Sequence, residues 1–498
     1  MLKIKKLYDY VANIKRQKKN DIHSIVNTTL TINPYITKFP KDFLFEKINN
    51  QNKLKLFLVN VGKFYVLHLL AFSKYILVFI YYKLLYKKKY QVTQKSLILD
   101  VFVLVDNVIK KGVFSEDYFS VLYPVLEKTN TRYIFIPRLY GLNNSPFKLH
   151  RQLRAFFGII NKNKNNFLFE FELLSVKDFF RLAWLVIFYP FKTLRLLVKE
   201  ESQQDVLFNV HLLGDISKQQ FEAFSRYIFG KNLAKISEIS KIYSWSEFQI
   251  IERSFNYAIR KNSDIKIYAC QFLVNYTVYF NTHVQDIDEI IGCAPNKVLV
   301  NGSHYLLKRE LVDYQLGVSL RYSKLFEYQV QNTGANVTLL GSYFVDETIS
   351  LLRLVGNFDA VLFKSHPAID ADVFRDAMFK NTKVTNKNIY DLFPETALII
   401  GGATGSMAEA VSCGISVIVV ARESELATNP LVDIGKSKIW DIAFDKTEVE
   451  KKSKKLLEFR NKNMHEIKSI AAWYRDNLFI EPSAENISRV FELQNMRN

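Results

Sequence analysis

Ala397-Leu-Ile-Ile-Gly-Gly-Ala-Thr-Gly-Ser-Met-Ala-Glu-Ala-Val-Ser-Cys-Gly-Ile-Ser-Val-Ile-Val-Val420 reads as strand, glycine turn, helix and strand in immediate succession. Ala397–Ile400 and Ser416–Val420 are short apolar runs rich in β-branched residues, the composition of strands covered on both faces. The turn Gly401-Gly402-Ala403-Thr404-Gly405 opens a helix over Ser406–Ser412. Working back from it, Thr382–Thr385 is a strand with a helix at Ile389–Phe393. Ala360–Phe363 is a strand ending at Lys364-Ser365-His366-Pro367, with a helix over Ala371–Phe379. Val337–Leu340 is a strand ending at Gly341-Ser342, with a helix from Asp346 to Val355. Strands alternating with helices at this spacing predict a doubly wound parallel sheet.

Further upstream the same texture continues. Val101–Val105, Tyr133–Ile136, Asp205–Val210, Ile265–Tyr268 and Val298–Val300 read as strands. Tyr118–Lys128 and Trp245–Lys261 read as helices, the latter with Ser244 and Ser246 as caps. The polar stretch Gln329–Ala335, with Gly334, places a boundary between two α/β units near residues 325–336. The expected organisation is a basic apolar helical region over 1–95, an acceptor-side α/β domain over 96–330, a nucleotide-sugar-binding Rossmann-like domain over 335–465, and C-terminal helices over 466–498. At 498 residues, 49% hydrophobic and 23% charged, the chain has ample core for this and is too apolar for disorder. Its three cysteines, Cys270, Cys293 and Cys413, have no CxxC spacing, which argues against a disulfide framework or a zinc site.

Most of the +19 net charge sits at one end: residues 1–95 carry 19 Lys/Arg against four acids. Such a block reads as a contact surface for a polyanion. Phe64–Ser73 and Tyr75–Tyr82 are apolar stretches interrupted by Lys63, Lys74 and Lys83, and Leu182–Phe191 lies between Arg181 and Lys192. No uncharged run approaches the ~20 residues of a spanning helix. Apolar surface flanked by lysines suits helices lying in a membrane interface, with Lys87-Lys88-Lys89 adding attraction to anionic headgroups. The alternative is a pair of buried helices whose lysines reach solvent. Nucleic acid ranks third, since no zinc-finger or RNP-like pattern accompanies the charge. Met1-Leu-Lys-Ile-Lys-Lys-Leu7 lacks a secretory h-region, so the expected location is the cytoplasm, peripheral to the inner membrane.

Ligands of doubly wound sheets bind beyond the carboxyl ends of the strands, which singles out Gly341-Ser342, the Lys364–Pro367 loop and the Gly401–Ser406 turn. The last offers backbone N–H groups and the Thr404 and Ser406 hydroxyls to an anion, yet it matches neither the Walker pattern nor GxGxxG. Lys364 and His366 add positive charge and a group that donates a proton or hydrogen bond near neutral pH. The bland reading of His366 is a cap on the following helix.

These residues carry a resemblance. Lys364-Ser-His-Pro367, then Gly401–Ala410 and Gly414–Val420, resemble the C-terminal donor domain of GT-B glycosyltransferases over about 335–440. Within that fold they are most similar to the His-Pro motif bacterial enzymes of surface polysaccharide synthesis, which include sialyltransferases and Kdo transferases using CMP-sugars. The resemblance implies two Rossmann-like domains facing a cleft. It implies His366, Thr404 and Ser406 on the nucleotide phosphate and Glu409 on the ribose; by their place at the strand ends, Gly341, Ser342, Ser365, Pro367, Gly402 and Gly405 are expected to line the same donor site. Gly401-Gly402-Ala403 departs from the serine pair of many relatives.

An inverting transferase also needs a base for the acceptor hydroxyl. Glu247 is preferred, because flanking aromatic residues favour a raised pKa; Glu116, Asp117, Asp106 and Asp215 are the other candidates. Arg321, near the domain boundary, suits a carboxylate or phosphate, with a structural ion pair as the alternative. Asp286-Ile-Asp288 and Asp370-Ala-Asp372 are DxD-like, but neither sits at the end of a nucleotide-binding strand, and no metal or cofactor is expected. The expected activity is metal-independent, inverting transfer of a CMP-activated sugar of sialic acid or Kdo type to a lipid-linked or other surface glycan, such as capsule or lipopolysaccharide. CDP-glycerol-type polyol-phosphate transfer and noncatalytic membrane or polyanion binding are the rivals.

Overall fold

The computed structural model describes residues 2–30, 38–46, 52–88, 96–274, 283–330, 334–402, 404–422 and 429–493. Lys89, Ala403 and residues 331–333 of the expected boundary lie outside them. Two all-parallel sheets form the molecule. The first has seven strands, β1 (Leu97–Leu104), β2 (Tyr133–Tyr140), β3 (Asn166–Phe167), β4 (Lys241–Trp245), β5 (Lys266–Cys270), β6 (Lys297–Val300) and β7 (Tyr314–Leu316), in the order β3-β2-β1-β4-β5-β6-β7. The second has six, β8 (Asn336–Leu340), β9 (Val361–Lys364), β10 (Thr382–Val384), β11 (Thr396–Gly401), β12 (Ser416–Val420) and β13 (Trp440–Ala443), in the order β10-β9-β8-β11-β12-β13. This is the two-domain α/β architecture expected from the sequence. In each sheet the winding reverses once, between β1 and β4 and between β8 and β11, and at these two places the loops diverge to leave a crevice.

Two upstream readings are corrected. Asp205–Val210 is not a strand; it lies inside the helix Gln203–Gly214, started by a capping box in which Ser202 and Asp205 satisfy each other's backbone N–H groups. Trp245 is the last residue of β4, and the helix that follows begins only at Ile250, capped by Gln249 and Glu252. Residues 246–249 are therefore a loop at the carboxyl end of β4. The stretch Ala371–Ala377 is a 3₁₀ helix capped by Asp370.

The basic N-terminal region is folded onto the first domain. The helix Leu2–Gln17 packs through Leu7, Val11 and Ile14, and its Lys15 is buried against Asp288, 2.9 Å away. The two apolar stretches at 64–82 belong to a single 33-residue helix, Lys53–Leu85. Contrary to the reading of separate short runs, it is long and apolar enough to cross a membrane by length and composition. It lays Phe64, Tyr75, Val78 and Tyr82 into the first domain's core.

The C-terminal helices return to the first domain. The helix Met464–Leu478 ends on Gly302, where a Cβ would collide with the Leu478 backbone. Ser319 N–H then donates to the Ile480 carbonyl at 2.9 Å, and Ile480 N–H donates to Ser319 Oγ at 3.0 Å. Beyond the helix Ala484–Val490, the Phe491 ring packs at a tilt against Tyr243 of β4, 4.6 Å between centroids. Backbone against backbone leaves no room for a side chain at residue 302, so Gly302→Ala is expected to destabilise by about 1–3 kcal/mol. Gly62→Ala, on an open helix face with nothing within 4 Å, should stabilise by about 0.5–1 kcal/mol. Apparent Tm by scanning fluorimetry checks the opposite signs.

Candidate functional site

The loop after β4 is held from beneath by a buried ion network. Asp100, midway along β1, accepts from Arg226 at 2.7 Å and from Ser244 Oγ at 2.8 Å, with Arg138 Nε of β2 3.3 Å away. Arg138 also donates to the Glu252 carboxylate and the Trp245 carbonyl, and Glu252 caps Gln249 N–H at 3.0 Å. Arg138 thus ties the last residue of β4 to the first turn of the next helix. Between them Phe248 has φ of 54°, in the left-handed region that a bulky side chain seldom adopts. Its N–H donates to Ser246 Oγ, its carbonyl accepts from Arg253 at 2.7 Å, and its ring is buried in a core cluster that also contains Leu340 and Met407 of the second domain. An unfavourable conformation so fully over-determined is characteristic of a functional loop.

Glu247 is the residue this loop presents. It is only partly accessible, and burial first, then the nearby Glu252 charge, pushes its carboxyl up to about 7; Gln249 Nε2 donates to it at 2.5 Å. Arg321, in the short 3₁₀ turn Leu320–Tyr322, is open to solvent yet enclosed by protein on most sides, the situation of a group in a deep cleft. Burial disfavours its charge, but Tyr322, Tyr118, Glu409 and Glu247 outweigh that and hold the guanidinium firmly protonated. It lies 5.4 Å from the Tyr118 ring. Arg321 therefore feels a carboxylate from each domain: Glu247 beyond β4, and Glu409 on the helix Ser406–Ser412 beyond β11. Glu409 is buried, which raises its pKa, and it accepts from the Tyr390 hydroxyl at 2.6 Å.

On the second domain, Gly341 lies against the His366 backbone N, 3.3 Å from where its Cβ would stand. The loops after β8 and β9 are thus in contact. His366 Nδ1 accepts from Ala368 N–H at 3.1 Å, which leaves Nε2 as the protonated nitrogen, and burial lowers its pKa. His366 is accordingly a neutral hydrogen-bond donor, edge-on to Tyr343 at 5.4 Å, and it caps its own turn while Asp370 caps the helix that follows. Lys364 points elsewhere, with its ammonium on the Lys387 carbonyl at 2.8 Å, and Ser365 Oγ donates to the Ile369 carbonyl at 2.8 Å. Pro367 is exposed. Ser342 Oγ donates to Glu347, whose carboxylate fills the space a Cβ on Gly402 would need. Thr404, Gly405 and Ser406 are half-buried at the start of their helix.

The rival carboxylates have structural employment. Glu116 accepts from Phe119 N–H, Tyr118 N–H and the Tyr123 hydroxyl, Asp215 pairs with Lys218, Asp106 accepts from Gln152 at 2.7 Å, and Asp117 faces Lys111 at 3.8 Å. Asp288 is buried between Lys15 and Arg253, whose charges overcome burial and lower its pKa, while Asp286 accepts from Leu311 N–H at 2.9 Å. One feature of the cleft went unmarked in the sequence. Phe102, Tyr118, Tyr140 and Trp245 gather beside Glu247, with Phe102 stacked on Tyr140 at 4.0 Å and Tyr118 5.4 Å from Trp245. Trp245 Nε1 is buried with no hydrogen-bond partner.

No family model matches the chain, and no curated protein does. Among solved structures it is similar to UDP-GlcNAc 2-epimerase from Neisseria meningitidis bound to UDP-GlcNAc, at 10% identity and TM-score 0.44, covering 80% of this chain and 100% of that one. It is also similar to S. aureus MnaA with UDP, at 10% identity and TM-score 0.45, covering 80% and 98%. The wall teichoic acid polymerase TagF matches at 10% identity and TM-score 0.38, covering 80% and 88%. Values this low leave the reading of the site to the chain's own geometry.

The raised pKa of Glu247 has a consequence for stability. Its folded pKa of about 7 exceeds the ordinary 4.5, so folding is unpenalised below about pH 4.5 and loses stability as pH rises toward 7. Glu247→Gln removes that penalty. The variant's Tm should exceed the wild type's at pH 8 and converge with it near pH 4.5.

Proposed function

We propose that the protein is a glycosyltransferase that moves a sugar from a nucleotide donor bound on the second domain to a glycan acceptor bound on the first. The observation that carries this is Arg321, a cation in the cleft shared by Glu247 of one domain and Glu409 of the other. A carboxylate poised near neutrality on one side, and a fixed positive charge with a neutral imidazole donor on the other, suit displacement of a phosphate.

In this reading Glu247 takes the proton from the acceptor hydroxyl as its oxygen attacks the anomeric carbon. The bond from that carbon to the phosphate oxygen breaks, and the electron pair leaves on the phosphate. Attack opposite the leaving group inverts the anomeric centre. Arg321 compensates the departing negative charge, and His366 Nε2–H donates a hydrogen bond to it. Glu409, anchored by Tyr390, takes the ribose hydroxyls. Ser342 and Gly402, already engaged by Glu347, frame the donor pocket, while Thr404, Gly405 and Ser406 meet the phosphate directly. Lys364 braces its loop through the Lys387 carbonyl. The half-exposed rings of Phe102, Tyr118 and Tyr140 offer the acceptor sugar an apolar floor. The His-Pro resemblance favours a CMP-activated sialic acid or Kdo-type donor and a surface glycan acceptor.

Calorimetric titration with CMP, CDP, UDP and GDP tests the donor side. One nucleotide should bind saturably, about tenfold more weakly to His366→Ala and to Glu409→Ala. With the matching sugar donor, Glu247→Gln should lower kcat by about 10²- to 10⁴-fold with little change in nucleotide affinity, and the wild-type rate should rise with pH through about 7. Transfer of glycerol phosphate from CDP-glycerol in place of a sugar would move the chain to polyol-phosphate chemistry. Absence of binding by every nucleotide would overturn the transferase reading.

A further inference from the structure

The outer surface of the first domain carries an inverted amphipathic pair. In the helix Lys53–Leu85, Asn60, Phe64, His68, Tyr75, Val78 and Tyr82 form the buried stripe. The opposite face shows Val59, Val66, Leu69, Leu70, Ile80 and Leu84 to solvent, Leu69 at 66% exposure. Between Lys63 and Lys83 the only charged residue is Lys74, and its ammonium is turned away to the Leu142 carbonyl at 2.7 Å and Asn144 Oδ1 at 2.8 Å. The helix Val176–Thr193 repeats the arrangement. Its stripe Leu182, Val186 and Tyr189 is buried, while Val176, Phe180, Trp184, Ile187 and Phe191 recur at helical spacing on the exposed side, Phe180 at 73% and Trp184 at 60%.

The two helices run antiparallel in contact. Phe64 stacks on Tyr189 at 5.3 Å at one end, Phe79 meets Phe179 at 4.9 Å at the other, and the Tyr65 hydroxyl donates to the Ile187 carbonyl at 2.7 Å. Their apolar faces therefore adjoin, forming a surface far larger than scattered exposed residues would make. Cations edge it: Lys55, Lys63 and Lys83 on the first helix, Lys177, Arg181 and Arg195 on or just beyond the second, all exposed.

We propose that this paired face docks the protein on an anionic lipid bilayer, with both helices lying in the plane of the headgroups. Charge selects the occupant. A second copy in a two-fold contact would bring the same cationic edge against this one, whereas anionic headgroups accept it. Long apolar side chains, a tryptophan and lysines able to reach outward are the composition of an interfacial helix. A spanning orientation would pull Phe64, His68 and Tyr82 out of the first domain's core and strip its sheet of cover. The proposal stands apart from the chemistry in the cleft.

The full chain is mixed with sucrose-loaded vesicles of phosphatidylcholine, with or without about one-third phosphatidylglycerol, and sedimented. Binding to the anionic vesicles, release by alkaline carbonate, and at least about a tenfold loss of binding in Trp184→Glu/Phe191→Glu of unchanged circular dichroism are expected. Arg181→Glu/Lys177→Glu should erase the preference for anionic lipid. Because these variants can misfold, the wild type is also read directly: brominated lipid should quench the Trp184 emission, the other three tryptophans being Trp245, Trp440 and Trp473. No quenching, vesicle binding unaltered by the double glutamate variant, a soluble dimer that the variant splits, or resistance to carbonate as a spanning helix would each overturn the proposal.

Discussion

The cleft depends on Arg138 and Asp100. Both are buried, and each alone would carry a large desolvation cost; together with Arg226, Glu252 and Ser244 they form a network whose members mostly satisfy one another. Such networks contribute little net stability beyond what apolar residues of similar volume would give. What this one contributes is position. Arg138 reaches a backbone carbonyl and a helix-capping carboxylate at once, so β4 can end only where it does, and the four residues after it have one path. Glu247 is set by that path, and Phe248 pins it into a core shared with the second domain.

The second consequence concerns the domains. Phe248, Leu340, Met407, Tyr474 and Leu478 occupy one cluster, so the interface behind the cleft is packed like an interior. Glu247 and Arg321, accessible at its open side, and Glu409, buried behind them, are then held at a fixed spacing. Burial dominates the two carboxylates and raises both, while the Arg321 charge partly offsets it at each.

How far the sequence discloses this varies along the chain for a physical reason. The central strands β11 and β12 of the second sheet are buried on both faces, so Leu398-Ile-Ile400 and Val417-Ile-Val-Val420 announce themselves as unbroken apolar runs, and the glycine turns and the His-Pro loop punctuate the sheet. In the first domain a large helical layer is apolar too, and short runs mislead: Val206-Leu-Phe208 resembles a strand until the Ser202-Gln-Gln-Asp205 box is weighed as a helix start. Glu247 was legible as a carboxylate between aromatic residues, but its loop was hidden because the network beneath it joins residues 100, 138, 226 and 252, which no local pattern connects. The aromatic floor has the same origin, since Phe102, Tyr118, Tyr140 and Trp245 meet only when β1, β2 and β4 pair. Lys364 shows the converse: a motif names a residue without fixing where its ammonium goes.

The return of the C-terminal segment to the first sheet bears on how the protein is made. Strands β1 to β7 have all emerged from the ribosome long before Leu478, Ile480 and Phe491, yet Gly302, Ser319 and Tyr243 each pack against one of these later residues. The first domain is thus completed after the second, reversing the usual order in which N-terminal units finish folding during synthesis. Through that interval it would hold an uncovered patch around β4 and β6, making the nascent chain a substrate for chaperones until the segment around Ala484–Val490 closes over it.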